Sequence, residues 1–213
     1  MVMSVGSAKY IEVFADVGCP FTHVGLLRFV ESREERARQD VRLRVRSWPL
    51  EIVNGEPMSG SFIAEEVAEI CEQVSGYFDG FDGTAFPSSS LGAMALASVA
   101  GSVDVAVGES VSLELRDLLF EHNTDVSDPE VLEAVAKRWS VPFDTSDSEL
   151  HRQIVLEEHR EGVARGVTGS PHFFTSSGDF FCPALAVGRD ESGHLRVTTD
   201  PDGFERFLEA CFA

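Results

Sequence analysis

Cations are scarce in this chain: 17 Lys+Arg stand against 36 Asp+Glu, a formal net charge of −19. Nucleic-acid binding draws most of its affinity from cations placed on phosphates, so no nucleic-acid partner is expected. An anionic membrane surface is disfavoured for the same reason, and the surplus acid serves to keep the chain soluble. Cysteines are few and scattered: Cys19, Cys71, Cys182 and Cys211, no two within ten residues of each other. That spacing excludes a CxxC dithiol and a zinc ribbon. No apolar run reaches the ~18 uncharged residues that point to a membrane-spanning helix. Met1 to Tyr10 has one Lys and no apolar stretch of signal length, so secretion is not indicated. The expected compartment is the cytoplasm, where unpaired cysteines stay thiols. GxGxxG, GxxxxGK[ST], GxSxG and an EF-hand loop are all missing. The acidic pairs Glu65-Glu66 and Glu157-Glu158 read as solvated helix faces, and no metal site is expected.

What is present is a globular composition, 43% hydrophobic and 25% charged over 213 residues. A chain of this length is one large domain, two small ones, or one domain with an insertion. It buries enough surface to need no disulfide staples.

The hydrophobic patterning predicts the elements in order. Tyr10 to Ala15 is a short β-branched and aromatic block, read as a buried strand. A helix follows from Pro20, with Cys19 at its N-cap. Val41 to Ser47 alternates with period two and reads as an amphipathic strand, completing a βαβ unit. Trp48 to Gly60 reads as a loop. Ile63, Val67, Ile70, Cys71 and Val74 mark one face of a helix, which places Cys71 in the core. Gly76 to Ser90 is an irregular connection, and Leu91–Ala100 and Val111–Phe120 are helices. Asp128-Pro129-Glu130 starts another, and Ser146 to Glu149 reads as a capping box for a helix running towards Gly166. His151 and His159 on that helix are expected at the surface. Strands then return as a hairpin, His172–Thr175 and Asp179–Cys182 about Ser176-Ser177-Gly178, and a second hairpin about Ser192-Gly193. A last helix starts at Asp200-Pro201, with Phe204, Phe207, Leu208, Cys211 and Phe212 on one face.

Two segments carry chemistry. Asp16-Val-Gly-Cys-Pro-Phe-Thr-His23 places a thiol at a helix N-terminus straight after a strand. Free backbone N–H groups and the positive end of the helix dipole meet there, which predicts a lowered pKa for Cys19. Thr22, one turn on, is placed to donate a hydrogen bond to the sulfur. The second segment is Gly166-Val-Thr-Gly-Ser-Pro-His172. His23 and His172 flank the two motifs as candidate tuning groups, with a solvent-facing or satisfied imidazole as the plainer alternative. Cys182 is either a resolving thiol or an edge-strand core residue, and Cys211 is a core residue.

The first segment resembles the active-site segment of the DsbA-like branch of the thioredoxin superfamily, especially its FrnE-type members, in which the strand is followed by Cys-Pro-aromatic-Cys and a helix. Gly166 to Phe174 resembles the same family's loop, and Phe120 to Phe143 its helical insertion. The similarity spans residues 10 to about 180. It implies an α/β thioredoxin-like fold with a mixed central sheet, residues 9–58 and 166–213, split by an α-helical insertion, residues 59–165. It also implies a cis bond before Pro171, facing the thiol. One residue departs from the pattern: Thr22 stands where a dithiol enzyme has its second Cys. Cys19-Pro20-Phe21-Thr22 lies between that motif and the Ser-Pro-Tyr-Ser of kappa-class glutathione transferases and hydroxychromene-carboxylate isomerases.

The resemblance therefore implies a thiol–disulfide oxidoreductase working through one thiol by mixed disulfides. Cys19 and Thr22 would be catalytic, and Pro20, Phe21, Ser170 and Pro171 would hold the substrate. The backbone of Ser170 would pair in β-fashion with a peptide or with glutathione. No bound cofactor is expected; glutathione or another low-molecular-weight thiol enters as co-substrate. Partners would be a disulfide-containing protein or a small thiol conjugate, and a second copy of the chain, since the related transferases dimerise. The alternatives are a glutathione-type transferase or isomerase, and a non-catalytic binding domain on the same scaffold. The helical insertion is expected to cover Cys19, with Phe78, Phe81 and Phe86 either lining an apolar groove or simply packing.

Overall fold

A computed structural model describes residues 9–192 and 195–213. The N-terminal segment before Lys9, and with it most of the stretch in which the sequence shows no secretion signal, lies outside the described residues. So do Gly193, in the turn expected of the second hairpin, and His194.

Four strands form the main sheet in the order β2-β1-β3-β4. β1 (Lys9–Ala15) and β2 (Val41–Ser47) pair in parallel, with Val13 opposite Val45. A parallel neighbour needs a crossover, and α1 (Pro20–Glu35) supplies it. β3 (His172–Thr175) then lies antiparallel against the other edge of β1, and β4 (Gly178–Phe181) returns as a tight hairpin about Ser176 and Ser177. The sheet is therefore mixed, and β1, which leads into Cys19, is flanked on both sides by strands. Ile11 and Val13 are wholly buried, as the central strand of a covered sheet requires.

Between β2 and β3 the chain is helical: α2 (Leu50–Val53), α3 (Gly60–Cys71), α4 (Leu91–Val103), α5 (Val105–Phe120), α6 (Pro129–Arg138) and α7 (Ser148–Ala164). The short α2 interrupts what the sequence presents as a plain loop. α5 and α4 pack on β2 and against each other, and α7 packs on α4 and β2. On the opposite side α8 (Pro201–Phe212) closes the core: the Phe207 ring lies 4.7 Å from Phe173 and 5.4 Å from Phe180, and Phe212 stacks 5.4 Å from Phe29 of α1. All five residues expected on its inner face are buried. β5 (Ala186–Arg189) and β6 (Leu195–Thr198) form a separate two-stranded sheet against α3.

Four expectations need correction. Cys71 is exposed, because α3 buries only Ile63, Val67 and Ile70 and ends at Cys71 itself. The cap of α7 is Asp147, whose side chain accepts the Leu150 N–H, while the Ser146 hydroxyl bonds Asp144; the residue nearer the helix takes the cap. His151 is buried, its Nε2 2.8 Å from the Asp144 carbonyl and its ring stacked on Phe143. Glu158 is not a solvated acid: it accepts from the Ser47 N–H, both the Ser47 and Ser98 hydroxyls, and Arg46.

Candidate active site

The site grows from the end of β1. After Ala15 the chain must turn sharply into α1, and the wholly buried Asp16 holds the turn. Its Oδ1 accepts the Gly18 N–H at 2.8 Å, and its Oδ2 accepts the Leu50 N–H at 2.7 Å and the Ser90 hydroxyl at 3.2 Å. Burial raises its pKa, and these donors oppose the rise. Gly18 allows the cover to come close: a Cβ there would meet Phe86 Cζ at 3.0 Å and Met58 Cε at 3.1 Å. Cys19 is the N-cap of α1 and Pro20 takes the first helical position, where its missing N–H costs no hydrogen bond.

Across from the thiol stands Ser170, joined to Pro171 by a cis peptide bond. Cys19 Sγ donates to the Ser170 carbonyl at 3.2 Å. The Ser170 hydroxyl accepts the Asp16 N–H at 2.9 Å and pairs with Thr22 Oγ1 at 2.7 Å. Thr22 is wholly buried, Phe21 is buried beside it, and Pro171 rests against Gly25, one turn further along α1. The structure thus brings Cys19, Pro20, Phe21, Thr22, Ser170 and Pro171 into one cluster.

The thiol does not have the lowered pKa expected of it. Cys19 is 3% exposed. Burial pushes its pKa up to about 11, with the charge of Glu66 adding to the rise, while Thr22 and Ser170 oppose it through hydrogen bonds. The helix terminus favours a thiolate, but removal from water disfavours it more.

The remaining candidates fall outside this cluster or at its edge. His23 points away: its Nε2 lies 2.6 Å from Glu121, and its ring packs 5.1 Å from Phe120 and 5.2 Å from Phe78. Burial lowers its pKa, against the pull of Glu121. His172 receives the Thr168 N–H on Nδ1 and meets Asp179 on Nε2. Both imidazoles are satisfied, and neither bonds the thiol. Cys182 is closer to the chemistry. Its N–H donates to the Pro171 carbonyl at 2.9 Å, it is buried in a left-handed conformation (φ +43°), and its pKa is pushed up to about 12 by burial and then by the charge of Cys19. It also borders a cleft of about 490 Å³ with Phe181, Leu185 and Val187. No disulfide joins the four cysteines. Phe78 and Phe81 pack on Phe120, and Phe86 packs on Phe81, the packing alternative for these rings.

Two residues escaped the sequence reading. Glu66 of α3 reads in the sequence as solvated, yet burial pushes its pKa up to about 7. Arg116 of α5 is 1% exposed beneath the Asp16 turn. A signal for it exists: Val111, Ser112, Leu115 and Leu119 form the buried face of α5, and Arg116 falls on the same side at helical spacing. Among the described residues no group of three or more His, Cys, Asp or Glu is placed to hold a metal, and no helix is long and apolar enough to cross a membrane.

With this geometry in view, comparison with known proteins is informative. A search of curated proteins finds no match. Among solved structures, the cytosolic disulfide reductase DsbM from Pseudomonas aeruginosa is 16% identical, with 94% of this chain and 97% of that one covered at a TM-score of 0.57. A second structure of DsbM, with GSH, gives 16% identity, the same coverage of 94% and 97%, and a TM-score of 0.55. A 2-hydroxychromene-2-carboxylate isomerase is 11% identical over 81% of this chain and 88% of its own, at a TM-score of 0.55. Identities this low speak to the fold alone. The family model of the DSBA-like thioredoxin domain, however, matches residues 10–192, and the chain belongs to that family.

Proposed function

We propose that the protein is a thiol–disulfide oxidoreductase that works through the single thiol of Cys19. The observation that carries this reading is the 3.2 Å contact between Cys19 Sγ and the carbonyl of Ser170, the residue before Pro171. It puts the thiol at a backbone edge to which an extended peptide or a thiol tripeptide can pair. In the forward step the Cys19 thiolate attacks one sulfur of a substrate disulfide. A Cys19–substrate disulfide forms, and the other substrate sulfur leaves as a thiolate and takes up a proton. With Thr22 in place of a second cysteine, an outside thiol completes the cycle. A low-molecular-weight thiol such as glutathione attacks the Cys19 sulfur and releases the bound substrate thiol. A second molecule attacks the new mixed disulfide, freeing Cys19 and leaving the oxidised small thiol. The substrate gains two electrons, two small thiols lose one each, and their protons end on the two substrate thiols. The similarity to DsbM, one structure of which is with GSH, supports glutathione as that co-substrate and the cytoplasm as the compartment. Disulfide-containing proteins and small thiol conjugates are the substrate classes. The helices of residues 59–165 form the cover of the site, and the 9–58 and 166–213 segments carry it.

The test is intact mass after incubation with glutathione disulfide, in a Cys71→Ser background because Cys71 is exposed. One glutathione adduct is expected, lost in Cys19→Ser. If the Cys19→Ser protein is labelled as fast as its parent, Cys19 is not the reactive thiol.

A second reading draws on a specific observation. The thiol donates its hydrogen to Ser170 and its pKa stands at about 11, which suits a site where Cys19 stays protonated and hydrogen-bonds a cofactor thiol that does the attacking. In that transferase or isomerase chemistry, conjugation of an electrophile survives Cys19→Ala. In the oxidoreductase it does not.

A further inference from the structure

We propose that Arg116 is the counter-ion of the Cys19 thiolate, a positioning residue that α5 delivers to the site from behind. This rests on the reading of Cys19 as the nucleophile and supplies what that reading lacks, a positive charge in a buried, net acidic surrounding. The guanidinium is 1% exposed, and an unpaired buried charge is expensive. Yet every acceptor it uses is formally neutral: Nη1 donates to the Ser112 carbonyl at 2.9 Å and to the Ser112 hydroxyl, and Nη2 donates to the Asp16 backbone carbonyl at 3.0 Å. Among the described residues its Nε has no partner and the guanidinium makes no ion pair within 4.0 Å. The Asp16 carboxylate does not supply one, being spent on Gly18, Leu50 and Ser90.

The place of Arg116 is specific. The Asp16 carbonyl that receives its Nη2 also receives the Cys19 N–H, at 3.4 Å. One oxygen therefore links the cation to the residue that carries the sulfur. The charges that bear on Arg116 are those of Asp16 and Cys19. Facing Cys19 are Glu66 from α3, Cys182 after β4, Thr22 on α1 and Ser170. Glu66 and Cys182 are acids, whereas Arg116 is a cation on which the charge of Cys19 bears. When a disulfide exchange leaves the sulfur anionic, Arg116 gains a second anion beside the Asp16 charge that already bears on it. As the thiol reprotonates or bonds to substrate, that stabilisation is withdrawn.

The experiment follows the rate of Cys19 alkylation against pH in Arg116→Gln, Arg116→Lys and Arg116→Met, again with Cys71→Ser. An opposite charge near a thiol lowers its pKa by about one to three units, so Arg116→Gln, which keeps a donor but not the charge, is expected to slow alkylation at pH 8 about tenfold or more. Arg116→Lys is expected to stay within about threefold of wild type. Circular dichroism identifies folded variants. If Arg116→Met does not fold, the Gln and Lys proteins decide, since they differ in charge with a donor in both. Equal rates in Gln and Lys, or a Gln protein within twofold of wild type, would overturn the proposal and leave Arg116 a strut for the Asp16 turn. Alkylation reports on the thiolate whatever the enzyme does with it. A tenfold loss in Arg116→Gln beside a wild type that reduces no disulfide would retain the counter-ion and remove the oxidoreductase. Unchanged alkylation beside active disulfide exchange does the reverse.

Discussion

Glu66 shows how one side chain acquires a role through its position. It lines a cleft of about 380 Å³ between α3 and the β5–β6 hairpin, with Phe62, Glu69, Arg189 and Leu195. Burial pushes its pKa up to about 7, against the pull of Arg189. An unfolded Glu titrates near ~4.3, so the folded state holds its proton longer. Below about pH 4 both states are protonated and the residue costs nothing. Between pH 4 and 7 the unfolded carboxyl ionises while the folded one does not, and stability falls as pH rises. Above pH 7 the folded state carries an under-solvated carboxylate. Glu66→Gln is therefore expected to match wild type at pH 4.5 and to melt higher at pH 8; an equal difference in Tm at the two pH values would refute this. Removing the Glu66 charge also removes a cause of the raised Cys19 pKa, so the same variant is expected to alkylate faster at pH 8. None of this was legible from Glu65-Glu66 in the sequence, because solvation of a helical acid depends on what packs over it, here a hairpin more than 100 residues away in the chain. Cys19 was half legible. Its place at the N-cap beside a Pro follows from local chain geometry, but its pKa depends on burial and on groups distant in the chain such as Glu66 and Ser170, which no local pattern reports.

Among the elements, α4 and α5 meet without intervening side chains. A Cβ on Gly108 would lie 2.5 Å from Gly101 Cα and 2.7 Å from Gly101 N, so the helices touch backbone to backbone. That contact seats α5 and with it Arg116. Gly162 of α7 is tight in another way: its Cβ would meet Trp48 Cζ3 at 2.8 Å and Phe14 Cδ1 at 3.0 Å, which are side chains and can shift. In an open helix Gly→Ala would gain roughly 1 kcal/mol. Overpacking costs about 1–3 kcal/mol, and where the obstacle is backbone the helices themselves must part. Gly108→Ala is therefore expected to lower the urea midpoint more than Gly162→Ala, with both below wild type. A Gly108→Ala protein as stable as wild type would show that α4 and α5 are not locked. The elements were the most legible part of the sequence. The Asp128-Pro129 and Asp200-Pro201 starts appear in the structure as capped helices, because a cap and a Pro at N1 act within a few residues. Errors fall where an element ends or a face is shared: Cys71 sits at the last position of α3, beyond the stripe that covers Ile63, Val67 and Ile70.

Across the whole molecule, three buried thiols and an excess of acid act in one direction at high pH. Burial pushes Cys19 up to about 11, and Cys182 and Cys211 to about 12; Tyr77 stands at about 12 for the same first reason. An unfolded thiol titrates near ~8.5, so in each case the folded pKa is the higher. Below pH 8 both states are protonated and these thiols contribute no pH dependence. From about pH 8.5 the unfolded chain releases protons that the folded chain retains, and stability is lost progressively as pH rises towards the folded values. The net charge of −19 grows more negative over the same range and adds self-repulsion, which salt screens. The two contributions separate by experiment. Urea midpoints are expected to be level from pH 7 to 8 and to fall between pH 9 and 11. Added salt is expected to recover part of the fall by screening. Cys211→Val removes one titrating group from the buried face of α8 with little change in volume, so its midpoint is expected to fall less steeply with pH at any salt concentration. Slopes that coincide for Cys211→Val and wild type, together with full recovery by salt, would assign the alkaline loss to surface charge and not to the buried thiols.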